Sequence, residues 1–274
     1  MQMQTSQDVA RRNHHAISLL LKGAFDESLV HSHTALNTMQ GIIDLPRWAP
    51  PGADDDAMNL DDQEEEPLLT HNVWSIELSP AHDSLPLAYQ GSVAFFNRAL
   101  AFEFSSSDDN DGQSEENTFH QDLTLAAVVL YNAGLCHHVR AIQSAKFQTP
   151  RLQKALQMYT MASCLLSNAA SANDNDDDLQ NNDAEDNDLL NFCSRDEGGA
   201  LLVMALLNNM AHIHAVFADR HLESGCIEAM NSFFESFCMR RTDEELEVTQ
   251  EDLLLLNMSS SLYQAESFAG CPAA

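Results

Sequence analysis

The chain has 274 residues, 44% of them hydrophobic, with 42 Asp and Glu against 13 Lys and Arg for a formal net charge of −29. That length buries one good core or two small ones. The charge repels nucleic-acid phosphates and anionic lipid, so it excludes direct binding to either and leaves a neutral or basic partner.

The negative charge is unevenly spread, and no basic residue lies between Arg47 and Arg98. Six cysteines, Cys136, Cys164, Cys193, Cys226, Cys238 and Cys271, are scattered without CxxC spacing. A free thiol inside an apolar helical run acts as a small hydrophobe, which fits a reducing compartment. The N-terminal Met1-Gln-Met-Gln-Thr-Ser lacks the apolar core of a secretory signal. The longest apolar run, residues 123–136, is short for a bilayer. The expectation is a soluble intracellular protein, cytoplasmic with the nucleus as the alternative.

In chain order, residues 1–42 read as a first helix pair hinged at Gly23. Ala16, Leu19, Leu20 and Gly23 follow the i, i+3, i+4, i+7 spacing of one buried face. Asp26 is expected to cap the second helix, and Leu29, Ala35 and Leu36 to form its buried side. Pro46, Pro50, Pro51 and Gly52 stop helical structure. Residues 43–121 then read as an acidic linker carrying a β-hairpin. Its acidic stretch, residues 54–66, is expected to be a solvated loop. Trp74, Ile76 and Leu78 alternate with Ser75, Glu77 and Ser79, the period of a half-buried strand. Leu100, Phe102 and Phe104 alternate with Ala101 and Glu103 and supply the partner strand.

A second acidic tract, residues 105–116, precedes a helix expected over 122–145, and Pro150 opens its partner over 150–172. The tract 173–188 is almost wholly Asp, Asn and Glu and reads as a disordered acidic loop. It splits residues 122–242 into two further helix pairs, the second over 188–217 and 221–239. Residues 243–274 hold Leu253-Leu-Leu-Leu256, which would add a third strand, and a flexible tail.

Small residues at matching offsets in the three pairs let antiparallel helices approach closely, the construction of a helical-repeat solenoid. On Tyr131-Asn132-Ala133-Gly134-Leu135-Cys136-His137-His138, on Ala155-Leu156 with Tyr159, and on the helix from Asn208 to Ile213, the chain resembles the tetratricopeptide (TPR) repeat family. More closely, it is similar to a group of uncharacterised algal TPR-like proteins. The likeness spans most of the chain outside the acidic tracts. It departs from the family pattern in the second copy, with an insertion of about nine residues between its helices, and in the third, where Glu223 and Ser224 stand at alanine positions. The resemblance implies a helical scaffold without enzymatic activity. It also implies that Asn132 and Asn209 hold the sixth position of their repeats, and that His137 and His214 stand where an aromatic is usual. TPR proteins that clamp acidic tails carry Lys and Arg where this chain has Val128 and Ala205.

Histidines come in pairs: His14-His15, His31 and His33, His137-His138, His212 and His214. Neighbours on a helix diverge by about 100°, and i, i+2 residues by about 200°, so no pair chelates a metal within one helix as an i, i+4 pair would. They are expected to be structural, His137 and His214 each packing between helices with one hydrogen bond. Asp174, Asp176, Asp178 and Glu185 imitate an EF-hand, but Leu179 occupies the glycine position. A similar set around Asp109 and Asp111 ends on Thr118. Cys136 adjoins His137, yet helix neighbours do not face each other, and no GxSxG or phosphate loop occurs.

The expected fold is therefore mainly α: about three TPR-like helix pairs with a small β-hairpin insertion and disordered acidic loops. The expected function is non-enzymatic protein–protein interaction as a scaffold or adaptor, with no cofactor and no metal. Groove candidates are Tyr131, Asn132, Asn209 and His212. They would hydrogen-bond the backbone of a bound peptide, or the asparagines would bridge neighbouring helices as buried amides. The alternative is an acidic, histone-chaperone-like TPR protein that shields basic nuclear cargo.

Overall fold

A computed structural model describes residues 2–41, 43, 72–78, 95–104, 115–143, 148–171 and 197–240. Among them are six helices and two strands: α1 (Gln2–Leu21), α2 (Phe25–Met39), β1 (Asn72–Glu77), β2 (Arg98–Glu103), α3 (Glu115–Gln143), α4 (Gln148–Ser171), α5 (Glu197–Val216) and α6 (Arg220–Arg240). The protein is mainly helical with a small antiparallel sheet.

The helices pair in sequence order, α1 with α2, α3 with α4 and α5 with α6, and the pairs stack through α2 on α3 and α4 on α5. Small side chains carry the first pairing: Ala16 and Ala35 are buried in it, and the Ser28 hydroxyl donates to the Ala16 carbonyl at 2.8 Å. Gly23, at φ +75°, makes the turn between them, a conformation that costs L residues with a Cβ. Asp26 does not cap α2. The cap position is Ala24, and Asp26 lies in the first turn, where its carboxylate favours the helix dipole and pairs with Arg140 of α3.

The extra residues of the second pair do not form an inserted loop. Only four residues separate α3 from α4; the length goes instead into helices of 29 and 24 residues, against 20 and 15 in the first pair. α3 begins at Glu115, inside the tract read as acidic loop. Residues 188–196, the third-strand segment 253–258 and the EF-hand-like aspartates lie outside the described residues.

α3 is longer than the apolar run within it. Residues 119–143 and 198–216 are each long and apolar enough to cross a membrane by length and composition, which corrects the expectation of too short a run. Their most apolar windows are 94% and 72% buried inside the protein, so the apolar surface is taken up by its own core. α3 has neighbours on every side: α4, α2, α1 and β2.

β1 and β2 pair antiparallel with Trp74 opposite Ala101 and Ile76 opposite Ala99, the hairpin expected from the alternation. An added bond from the Leu78 N–H to the Asn97 carbonyl (3.3 Å) extends the ladder. In β1 Val73 is buried while Trp74 and Ile76 are half-buried, and Leu78, just past the strand end, is buried. In β2, Ala99, Leu100, Ala101 and Phe102 are buried on both faces. The hairpin lies along the first helices of the three pairs: β2 on α1 and α3, β1 on α5.

Candidate functional site: an asparagine-lined groove

The first helices bring three asparagines inward, Asn13 on α1, Asn132 on α3 and Asn209 on α5, all buried. Asn132 stands two residues before Gly134, and Asn209 two before Ala211. Each small residue lets the helix approach its partner, which turns the asparagine toward the hairpin. At Gly134 the approach is close: a Cβ there would lie 2.7 Å from Tyr159 Cε1.

Both amides grip β2 or the residues leading into it in the same way. The Leu100 N–H donates to Asn132 Oδ1 at 2.9 Å, and Asn132 Nδ2 donates back to the Leu100 carbonyl at 2.7 Å. Four residues earlier, the Phe96 N–H donates to Asn209 Oδ1 at 3.1 Å, and Asn209 Nδ2 donates to the Phe96 carbonyl at 3.3 Å. Between them the Tyr131 hydroxyl donates to the Arg98 carbonyl at 2.9 Å. Residues 96, 98 and 100 face one edge of the strand. That edge is therefore met by side chains where a sheet would supply another strand.

Asn132 Nδ2 also reaches Asn13 Oδ1 at 3.0 Å, joining α3 to α1, while Asn13 Nδ2 has no partner among the described residues. Asn209 Nδ2 lies 3.3 Å from the Tyr131 oxygen and 3.5 Å from the Tyr159 oxygen. Because an amide nitrogen only donates, the Tyr159 proton is free to point at His138 Nδ1, 3.4 Å away. His138 Nε2 and His212 Nδ1 lie 3.1 Å apart; with the Tyr159 proton directed at Nδ1, the neutral His138 carries its own proton on Nε2 and is the donor of this pair. Burial, followed by the facing His212, holds the His138 pKa well below its ordinary value of 6.5. Burial likewise drives the Tyr159 hydroxyl well above its usual pKa, so it is a neutral donor. The Phe95 ring covers the imidazole pair, its centroid 4.3 Å from His138 and 5.5 Å from His212.

The histidines thus sort differently from expectation. His138 and His212 converge across helices, and His137 takes no such part. His137 is buried with its Nε2 unpartnered among the described residues, where one hydrogen bond was expected; burial, then Lys154, His33, Arg140 and Arg151, lower its pKa to about 4. His214 is half-buried. No group of three or more His, Cys, Asp or Glu gathers as a metal site among the described residues. Cys136 is buried, its sulfur donating to the Phe25 carbonyl at 3.3 Å, and burial pushes its pKa up to about 12, far from a reactive thiolate. Glu223, at an expected alanine position, is buried at the start of α6 and pairs with Arg220 at 2.8 Å.

All four groove candidates, Tyr131, Asn132, Asn209 and His212, lie in one connected buried network, and the chain they hold is their own. His138, Tyr159 and Asn13 belong to it and were not among the groove candidates. The signal for Tyr159 was present, since it closes the Ala155-Leu156 motif facing Gly134. Val128 and Ala205 are buried apolar positions. An open cavity of about 300 Å³, lined by Asp8, Arg11, Arg12, His15 and His31, is formed by other residues of the first helix pair. Comparison of the chain with models of known families, with curated proteins and with solved structures finds no match.

Proposed function

We propose that this chain is a non-enzymatic protein–protein interaction protein of TPR type, a scaffold or adaptor whose groove holds an extended segment by its backbone. The observation that carries this reading is the pair of two-way amide contacts on residues 96 and 100. Backbone contacts of this kind give affinity for any extended chain, and the pockets between them give selectivity. The stacking of three helix pairs with their first helices along one groove supports the repeat assignment. The net charge of −29 favours a neutral or basic partner and disfavours an acidic one. The cytoplasm is the proposed compartment.

The test is affinity capture on wild type and on the double variant Asn132→Ala/Asn209→Ala, at matched concentrations of folded protein. Loss of a partner by the double variant supports the reading. An identical partner set together with unchanged stability would show both asparagines to be idle and remove its basis.

A further inference from the structure

The groove is filled, and how it is filled says what a partner must look like. β2 meets the helices through side-chain amides and a phenol along one edge, and the hairpin makes its main helix contacts with α1, α3 and α5. The helices also contact one another directly, within pairs and between consecutive pairs. In the sequence, 28 residues separate Ile43 from Asn72, and 10 separate Phe104 from Glu115. At about 3.3 Å per extended residue these spans reach about 90 and about 33 Å. The fit also leaves a gap, because the buried Asn13 amide nitrogen has no acceptor among the described residues.

Resting on the interaction reading above, we propose that residues 95–104 are a built-in ligand, and that the partner is a protein whose own extended apolar segment takes their place. The lining sets its chemistry. A ring is needed in the slot over His138 and His212, where Phe95 sits. The positions of Ala99, Leu100, Ala101 and Phe102 are closed to solvent, so a charge there would be buried without a partner. Backbone N–H and C=O must be free at two positions four residues apart, which excludes proline at either. A tethered strand competes at an effective concentration in the mM range. A free segment therefore binds the resting chain weakly, and binds strongly once the strand is weakened.

Two measurements on the full chain test this. In native-state hydrogen exchange, the Phe96 and Leu100 amides should exchange roughly 100-fold faster than that of Leu130 in α3, because the strand opens without the helices. A synthetic peptide of residues 94–105 should bind Leu100→Pro or Phe96→Pro about tenfold more tightly than wild type. Each proline deletes one N–H of the resident strand together with a buried side chain of that strand, and leaves the helix residues lining the groove unchanged. Adding Asn132→Ala to Leu100→Pro should reverse that gain by about tenfold. The proposal is overturned if the two strand amides exchange as slowly as Leu130. It is equally overturned if the proline variants lose their helical spectrum, or keep it and bind the peptide no better than wild type. A wild-type chain that still captures a partner under those outcomes retains the interaction reading and loses only the exchange.

Discussion

In the middle helix pair a Cβ added at Gly134 would press to 2.7 and 2.9 Å from the ring of Tyr159; in the last pair the space around Gly225 is empty to 4 Å. α3 is buried almost all round from Gln121 to Ile142, whereas α6 buries a single stripe, Glu223, Ile227, Met230 and Phe233. Among the described residues, the middle pair is flanked by helices on both sides and carries β2, and the last pair has a helix neighbour on one side only. Position in the stack, more than helix composition, decides how much each side chain must satisfy. The same residue type is therefore indispensable in one pair and replaceable in the other.

The largest difference should appear at the asparagines. Asn132 makes three contacts of 2.7 to 3.0 Å, while those of Asn209 run from 3.1 to 3.5 Å. Removing Asn132 strands a buried N–H and C=O of Leu100, so Asn132→Ala should cost about 4 kcal/mol and Asn209→Ala about 2 kcal/mol. Urea unfolding measures both. Equal losses, or the reverse order, would break the comparison at its strongest point.

Acidity should act next, and mainly through the middle pair. His137 is depressed from 6.5 to about 4, and His138 lies well below 6.5; His214 of the last pair is also lowered by burial, with Asp219 and Glu223 pulling the other way. Below pH 6.5 the unfolded chain takes up protons that the folded chain refuses. The stabilisation is thus complete above about 6.5 and is lost as the pH falls toward 4. The urea midpoint should decline steadily between pH 7 and pH 4.5, and His137→Gln should flatten part of that decline. A flat midpoint in wild type would mean that neither imidazole is held neutral by the fold.

The two glycines give the third and sharpest contrast. Gly134→Ala must push the Tyr159 ring, which is buried and hydrogen-bonded, and should destabilise by about 2 kcal/mol. Gly225→Ala meets nothing and should stabilise by about 0.8 kcal/mol through helix propensity. Thermal unfolding of the two variants should move in opposite directions. Movement in one direction for both would show that Tyr159 can yield.

What could be read from the sequence is what local pattern decides. The alternation of Leu100, Phe102 and Phe104 against Ala101 and Glu103 marks a strand, and its pairing with Trp74 follows because no other alternating run lies near. The helix pairs follow from small residues at fixed offsets. Three things were not legible. Helix phase at His137-His138 depends on where neighbouring helices lie, so the sequence does not say which imidazole faces His212. The second pair's extra residues could lengthen a loop or the helices, and periodicity alone does not choose. The groove asparagines stand out by register, but their acceptors lie 32 and 113 residues away, a separation that no window of sequence contains.

The smallest effect concerns the turns. The first and last pairs close in the same way: the N–H of the left-handed residue bonds three back, and the next N–H bonds five back. Gly23 donates to Leu20 and Ala24 to Leu19, at 3.0 and 2.9 Å; Ala218 donates to Ala215 and Asp219 to His214, also at 3.0 and 2.9 Å. The left-handed position has φ +75° at Gly23 and φ +57° at Ala218. A Cβ in that region costs about 1–2 kcal/mol, and glycine returns about 0.5–1 kcal/mol through its greater freedom in the unfolded chain. Ala218→Gly should therefore stabilise by about 0.5 kcal/mol, and Gly23→Ala should destabilise by a similar amount, read as opposite shifts in Tm. If Ala218→Gly destabilises instead, the alanine methyl is contributing contacts in the last pair that outweigh its backbone strain, and the two turns are alike in hydrogen bonding only.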